Sequence, residues 1–395
     1  MLPTGSALAV HWSLDPSVHY LNHGSFGACP RLVLAEQARL RSELEAQPVR
    51  FLARELEERL DRTRLALAAF LGADPAGLVF VGNASVGVNT VLHNLRLRQG
   101  DEILVTNHEY AACRNALERL AAGSGARVVV AQLPFPLQSP AEVLAAIEQA
   151  CSPRTRFCLI DHVTSPTALI LPVAAIVQLL HARGVEVLID GAHAPGMVDI
   201  GLEALNVEYY TGNCHKWLCA PKGSAFLHVR ADKRAGFLPL VTSHGMTQDR
   251  PERSRFRLEH DWTGTGDPTP WLTVPAAIAQ MATLGARDWR DRMAQNRALA
   301  RQGRDRLCAA LELPPPAPEA MLGAMAAIPL PPLRIAADPR QEFDPLQDWL
   351  WLEHRIEVPV IGWASPRHRL LRISAQAYNS LEQYDMLADL LRSLR

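Results

Sequence analysis

The stretch Val185-Glu-Val-Leu-Ile-Asp-Gly-Ala-His-Ala-Pro-Gly196 decides the fold. Its apolar run over 185–190 ends on an acid, and a turn carrying Gly191, Ala192 and His193 comes next. A strand that is apolar throughout, rather than alternating, is buried on both faces, as in a parallel sheet covered by helices. Working outward, the same grammar repeats. Strands are expected at 78–81, 102–106, 127–132 and 157–162, then at 209–211 and 224–229. Helical stretches separate them, from the turn at Gly82 and Asn83 to about 95, then at 111–122, 141–150 and 173–183. Before them, 31–71 reads as helix interrupted at Pro48, with Leu52, Leu56, Leu60, Leu67 and Leu71 near helical spacing. This alternation predicts an α/β fold with a mostly parallel sheet.

After Asp267 the character changes. Ala/Arg-rich helical stretches at 275–285 and 289–311 precede a proline-rich break at 313–318. Then come a strand-like run at 324–329, a helix at 345–355, strands around 357–360 and 370–374, and a last helix from Ser380. The expected division is a large domain over 20–267 and a smaller α+β domain from 1–19 and 268–395.

Composition narrows the function. The 395 residues carry 40 Lys+Arg against 41 Asp+Glu, a formal net charge of −1, which argues against a polybasic nucleic-acid or membrane-surface protein. Only Lys216, Lys222 and Lys233 are lysines, so chemistry that needs an amine has few candidates. No secretory signal is read at the N-terminus, and no apolar run reaches the roughly 18 residues of a membrane-spanning helix. The seven cysteines are scattered with no Cys-x-x-Cys pair, which disfavours a disulfide framework and a zinc ribbon, and no metal site is expected. The expectation is a soluble cytoplasmic protein.

In an open parallel sheet, ligands bind beyond the carboxyl ends of the strands. Polar residues succeed five strands here: Asn83-Ala-Ser85, His108-Glu-Tyr110, His162-Val-Thr-Ser165, Asp190-Gly-Ala-His193 and Asn213-Cys-His-Lys216. Neither a Gly-x-Gly-x-x-Gly turn, a P-loop nor a Gly-x-Ser-x-Gly elbow is present, which weakens nucleotide and serine-hydrolase readings. Taken singly, the Asp is a helix cap, Tyr110 a core residue and His215-Lys216 a solvated loop. Taken together they describe pyridoxal phosphate chemistry. A lysine amine condenses with the cofactor aldehyde, and a carboxylate keeps the pyridine nitrogen protonated. The turn at 82–85 supplies backbone N–H groups at a helix start for the phosphate.

The segments Asp190-Gly-Ala-His-Ala-Pro-Gly196, Asn213-Cys-His-Lys-Trp217 and Pro221-Lys-Gly223 closely resemble the class V aminotransferase superfamily of pyridoxal phosphate enzymes. Tyr20-Leu-Asn-His-Gly-Ser-Phe-Gly27, His108-Glu-Tyr110, Asp161-His-Val-Thr-Ser165, Glu357-Val-Pro-Val360 and Arg372-Ile-Ser-Ala-Gln-Ala-Tyr-Asn379 resemble its isopenicillin N epimerase branch. The resemblance runs from about residue 12 to the C-terminus. It implies an aspartate-aminotransferase-like large domain with a seven-stranded sheet, plus the smaller domain.

The resemblance also implies roles. Lys216 binds the cofactor and shuttles the proton at Cα, and Asp190 pairs with the ring nitrogen. His193 stands near the cofactor's phenolic oxygen, and Tyr110 stacks on the ring. Asn83, Ala84, Ser85, His215 and Asn213 surround the phosphate, with Ser165 also among the cofactor contacts. Thr265 reaches the phosphate of the partner subunit, which implies a homodimer with its active site at the interface. Arg372 clamps the α-carboxylate of a small amino-acid-like substrate through its planar fork. Asn22 and His23 line the substrate pocket, where Trp363 and His244 would also bear on specificity.

Cysteine desulfurases carry a nucleophilic cysteine shortly before the carboxylate-binding Arg; 357–373 holds none, and the nearest upstream is Cys308. The resemblance of the motifs around Asn22, Tyr110 and Val358–Val360 makes an isopenicillin N epimerase-like reaction at Cα of an amino acid or peptide-like substrate the leading expectation. A Cβ–S lyase, such as a hercynylcysteine sulfoxide lyase, comes second and an aminotransferase third. A cofactor-free binding relative and a nucleotide-binding Rossmann protein are the alternatives from other classes.

Overall fold

The computed structural model describes residues 5–335, 342–363 and 365–395, without the side chains of 365–367. Residues 1–4 and 336–341, within the expected small domain, and residue 364, within the stretch free of cysteine, lie outside the described residues.

Seven strands build the central sheet: β1 (Leu78–Val81), β2 (Glu102–Thr106), β3 (Arg127–Ala131), β4 (Thr155–Asp161), β5 (Glu186–Gly191), β6 (Tyr209–Asn213) and β7 (Ala225–Val229). Their order is β1-β7-β6-β5-β4-β2-β3, parallel except where β7 meets β1 and β6. Side chains alternate between two cores along each strand. Leu104, Cys158, Ile160, Val187 and Ile189 enter one, and Ile103, Val105, Phe157, Leu159 and Leu188 the other. The first core is covered by α2 (Leu56–Leu71), α5 (Pro140–Ala150) and α6 (Val173–His181). The second is covered by α3 (Ala84–Asn94) and α4 (Ala111–Ser124). Truncating a central strand residue such as Leu188 to Ala would cost about 2–5 kcal/mol, because both faces are sealed.

Helix α1 (Arg31–Ala46) ends at the interruption expected near Pro48, with Gln47 outside helical conformation, and the chain resumes as a π-helical turn over Arg50–Glu55. Helix α7 (Val274–Thr283) packs on α1 and α2 and sends Val274 and Ala277 into the first core. The long α8 (Trp289–Leu311) leads away to a three-stranded antiparallel sheet of β8 (Met325–Leu330), β9 (Val360–Trp363) and β10 (Ser365–Ser374), in the order β9-β10-β8. Helices α8, α9 (Pro345–His354) and α10 (Leu381–Ser393) bury Leu307, Leu350, Leu387 and Leu391 with Ile328 and Ile373 of that sheet. His19–Tyr20 pairs in parallel with Ile356–Glu357, so the N-terminal segment is tied to this unit. Among the described residues no helix is long and apolar enough to cross a membrane.

Candidate active site

The central strands end together, and the residues just beyond their ends face a cavity of about 320 Å³. Strand β5 carries Asp190 next to its last residue, and its parallel register sets Asp190 beside Asp161 on β4 and Thr211 on β6. The Asp190 carboxylate accepts from the Ala192 N–H at 2.9 Å and from the Cys113 thiol at 3.3 Å. Burial pushes Asp190 up, while those two donors and the Lys216 charge pull it back. Asp161 is pushed well above the usual carboxylate range by burial, then by the Asp190 and Glu109 charges, with its own backbone N–H and the Lys216 charge pulling the other way. Two buried carboxyls side by side resist double ionisation; the donor-rich Asp190 is the one that carries the charge.

Lys216 lies in the turn between β6 and β7. The Cys214 and His215 N–H groups donate to the Ser224 carbonyl at 3.0 and 3.2 Å, and Ala220 closes back on Cys214 at 3.1 Å. The Lys216 Nζ lies 3.1 Å from His193 Nε2. Burial first, and then the Arg372 charge, lower the amine to about 8, so a neutral nucleophile is within reach at physiological pH. Lys222 instead donates to the Gly27 carbonyl at 2.6 Å, and Lys233 pairs with Glu186. Of the three lysines, Lys216 lines the cavity. Gly27, at φ +71, passes so close that a Cβ would come within 2.2 Å of the His215 carbonyl oxygen. This packing brings Ser25 and Phe26 onto the cavity wall.

At the other end, Asn83 caps α3 by accepting from the Val86 N–H at 2.9 Å. The Asn213 side chain takes the Ala84 N–H at 2.8 Å, so it holds the turn in place as well as lining the cavity. Ser85 sits on the same wall at the positive end of the helix. His215 donates from Nδ1 to the Ser224 carbonyl at 2.9 Å, leaving Nε2 without the proton; burial lowers it to about 4.

Arg372, on β10, is only 3% exposed. One terminal nitrogen donates to the carbonyl and hydroxyl of Ser165 at 2.7 and 3.1 Å, and the other to the Ser25 hydroxyl at 3.0 Å. Among the described residues its Nε has no partner and no carboxylate pairs with it. A buried guanidinium without a counter-ion is costly and suits an incoming anion.

The remaining expected site residues divide. Asn83, Ala84, Ser85, Tyr110, Ser165, Asp190, His193, Asn213, His215 and Lys216 all line the cavity. Asn22 lies behind it, accepting from Ser25 at 2.6 Å and donating to Glu357 at 3.0 Å. His23 is fully buried; its ring meets the Tyr378 hydroxyl at 2.8 Å and the Lys216 carbonyl at 3.0 Å, so it braces the lysine from behind. Thr265 is exposed and outside the cavity. His244 lines a separate cavity of about 480 Å³ beside Trp262, and Trp363 packs edge-on to His108 at 4.5 Å. Ser25, Phe26, Asp161 and Cys113 are site residues that sequence reasoning had not assigned. Asp161 was visible as an acid at a strand end, but reading the strand on to 162 placed it inside.

These groups fit pyridoxal phosphate: an amine, an acid and a helix N-terminus line one cavity, and a guanidinium with no acidic partner among the described residues stands behind its Ser25 and Ser165 wall. The chain matches the family "Aminotransferase class-V" over residues 20–311. It is 40% identical to an isopenicillin N epimerase of Amycolatopsis lactamdurans, covering 97% of this chain and 96% of that protein. It is 28% identical to a probable chloroplastic L-cysteine desulfhydrase of Arabidopsis thaliana, covering 96% and 83% respectively. In structure it is similar, at a TM-score of 0.77, to a mutant of C-DES with glycine covalently linked to its PLP cofactor. That likeness covers 96% of this chain and 97% of C-DES, at 21% identity.

Proposed function

Because the chain belongs to the class V aminotransferase family and is a pyridoxal phosphate-dependent enzyme, we propose that it moves a proton at Cα of an amino acid or peptide-like substrate, as an isopenicillin N epimerase does. The observation that carries this reading is the Lys216 amine on the cavity wall, lowered to about 8, together with Arg372, which stands behind the wall residues Ser25 and Ser165 and has no carboxylate partner among the described residues. When bound, the cofactor supplies an electron-accepting ring that makes the Cα proton removable. Arg372 binds the substrate α-carboxylate in a bidentate pair and fixes its orientation. Lys216 takes and returns the proton at Cα. Asp190 would hold the proton on the ring nitrogen, Tyr110 would cover the ring, and Ser85 with the α3 N-terminus would hold the phosphate, joined by His215 once its Nε2 carries a proton.

A second reading is a Cβ–S lyase. Its support is the desulfhydrase relative together with a cavity that, among the described residues, no cysteine lines, so sulfur would leave as a small product rather than as a protein persulfide. Transamination is the third outcome of the same proton removal. Incubation with candidate amino acids in deuterated water separates them. Cα deuteration with inversion is the expected result. Pyruvate and ammonia would replace the first reading by the second, and conversion of the cofactor to its amine form would mark the third.

The same proposal includes a homodimer in the cytoplasm with its sites at the subunit interface. Thr265 is free of its own cavity, and Phe26 is 71% exposed although it lines that cavity. A second copy would cover the one and receive the other.

A further inference from the structure

His193 stands between two ring or chain nitrogens, and their chemistry fixes where its proton lies. On one side the Trp217 indole Nε1–H donates to His193 Nδ1 at 3.4 Å. An indole N–H is a donor only, so Nδ1 must present its lone pair. On the other side His193 Nε2 lies 3.1 Å from the Lys216 Nζ. A neutral imidazole that accepts at Nδ1 carries its proton at Nε2. The backbone enforces this sandwich: Gly196, at φ +87, lets the 191–196 turn press on Trp217, where a Cβ would come within 2.6 Å of the Trp217 carbonyl. Trp217 is itself 1% exposed and tilted against His23 at 4.7 Å, so the indole has little room to turn away.

We propose that Trp217 is a positioning residue that locks His193 in the Nε2–H tautomer, so that His193 faces the Lys216 nitrogen as a donor and never as an acceptor. A donor beside Nζ is compatible with a neutral amine and opposes an ammonium, whose own N–H groups would find no lone pair there. The tautomer therefore favours the neutral form of Lys216, the one that attaches the cofactor and takes a proton. The depression of His193 itself, from burial and then the Lys216, Arg372 and His23 charges, keeps the ring singly protonated. The other charged or titratable groups facing Lys216 are Arg372, Asp190, Asp161, Cys113, His23 and His215. This inference rests on Lys216 as the cofactor lysine, but its test does not.

The test uses the apoprotein, made by removing cofactor from the purified full chain. Nitrogen-15 NMR of labelled histidines distinguishes the two tautomers, and a His193→Gln variant assigns the signal. The expected wild-type pattern is Nε2–H, unchanged between about pH 6 and about pH 9. Carbon-13 labelling of the lysines gives three signals, from which the Lys216 titration is read directly. Trp217→Phe keeps the ring but removes the N–H. His193 should then mix tautomers, and the Lys216 midpoint should rise by about one pH unit. A wild-type Nδ1–H pattern, or a Trp217→Phe protein with both signals unchanged, overturns the proposal. If that variant does not fold, the wild-type histidine pattern alone decides. Failure here would leave cofactor attachment at Lys216 untouched, and that assignment has its own chemical test.

Discussion

Arg372 donates to the backbone carbonyl of Ser165 at 2.7 Å, and this contact ties β10 of the three-stranded sheet to the loop after β4. The same guanidinium has an orphan Nε and no acidic partner among the described residues. Arg372→Lys keeps a positive charge but loses the fork. It should raise KM for amino-acid substrates by about 10- to 100-fold with a smaller effect on kcat. Steady-state kinetics on the purified variant checks this.

Asp190 and Cys113 give a graded pair of variants. Asp190→Asn should retain cofactor yet lower kcat by about 100-fold or more for every reaction type, because the ring nitrogen loses its charged partner. Cys113→Ala removes one donor to that carboxylate and should cost about 1 kcal/mol, while Cys113→Ser, which keeps a donor, restores most of it. Turnover and cofactor absorbance, measured together, separate lost chemistry from lost cofactor.

Lys216 should make the apoprotein more stable as pH rises. Its folded value is near 8 and its unfolded value is 10.5. Between those values the unfolded chain binds more protons, so unfolding free energy increases with pH there. The burial penalty is full below about 8 and gone above about 10.5, and amounts to about 3 kcal/mol. Lys216→Met apoprotein should therefore unfold later than wild type at pH 7 and lose that advantage by about pH 10.5, as thermal melts across pH would report.

Thr265 offers a test of the dimer. Thr265→Ala should weaken cofactor binding, and Lys216→Ala should be inactive. Mixed dimers of the two should regain one site of wild-type affinity, since the subunit with Lys216 intact receives Thr265 from its partner. Cofactor titration after subunit exchange reads this directly. No recovery would mean that Thr265 serves no site in trans.

Much of the fold was written locally. Runs such as Glu102–Thr106, where β-branched and aliphatic residues fill both faces, define a buried strand and its end together. The polar groups after those ends then converge because a parallel sheet points its carboxyl ends one way. The hidden part was long-range. The contacts of Ser25 with Arg372 and of His23 with the Lys216 carbonyl join residues far apart in sequence, through the close passage of Gly27. No spacing reveals that the His23 ring turns behind the lysine instead of into the pocket. The Asp161 carboxyl was hidden by a one-residue error in a strand end.

The scarcity of lysine makes the central claim directly measurable. Borohydride reduction of the cofactor-loaded protein, then digestion and peptide mapping, should place the reduced cofactor on the single peptide that contains Lys216. Label on Lys222 or Lys233, or no label on a protein that retains its cofactor absorbance, would contradict it.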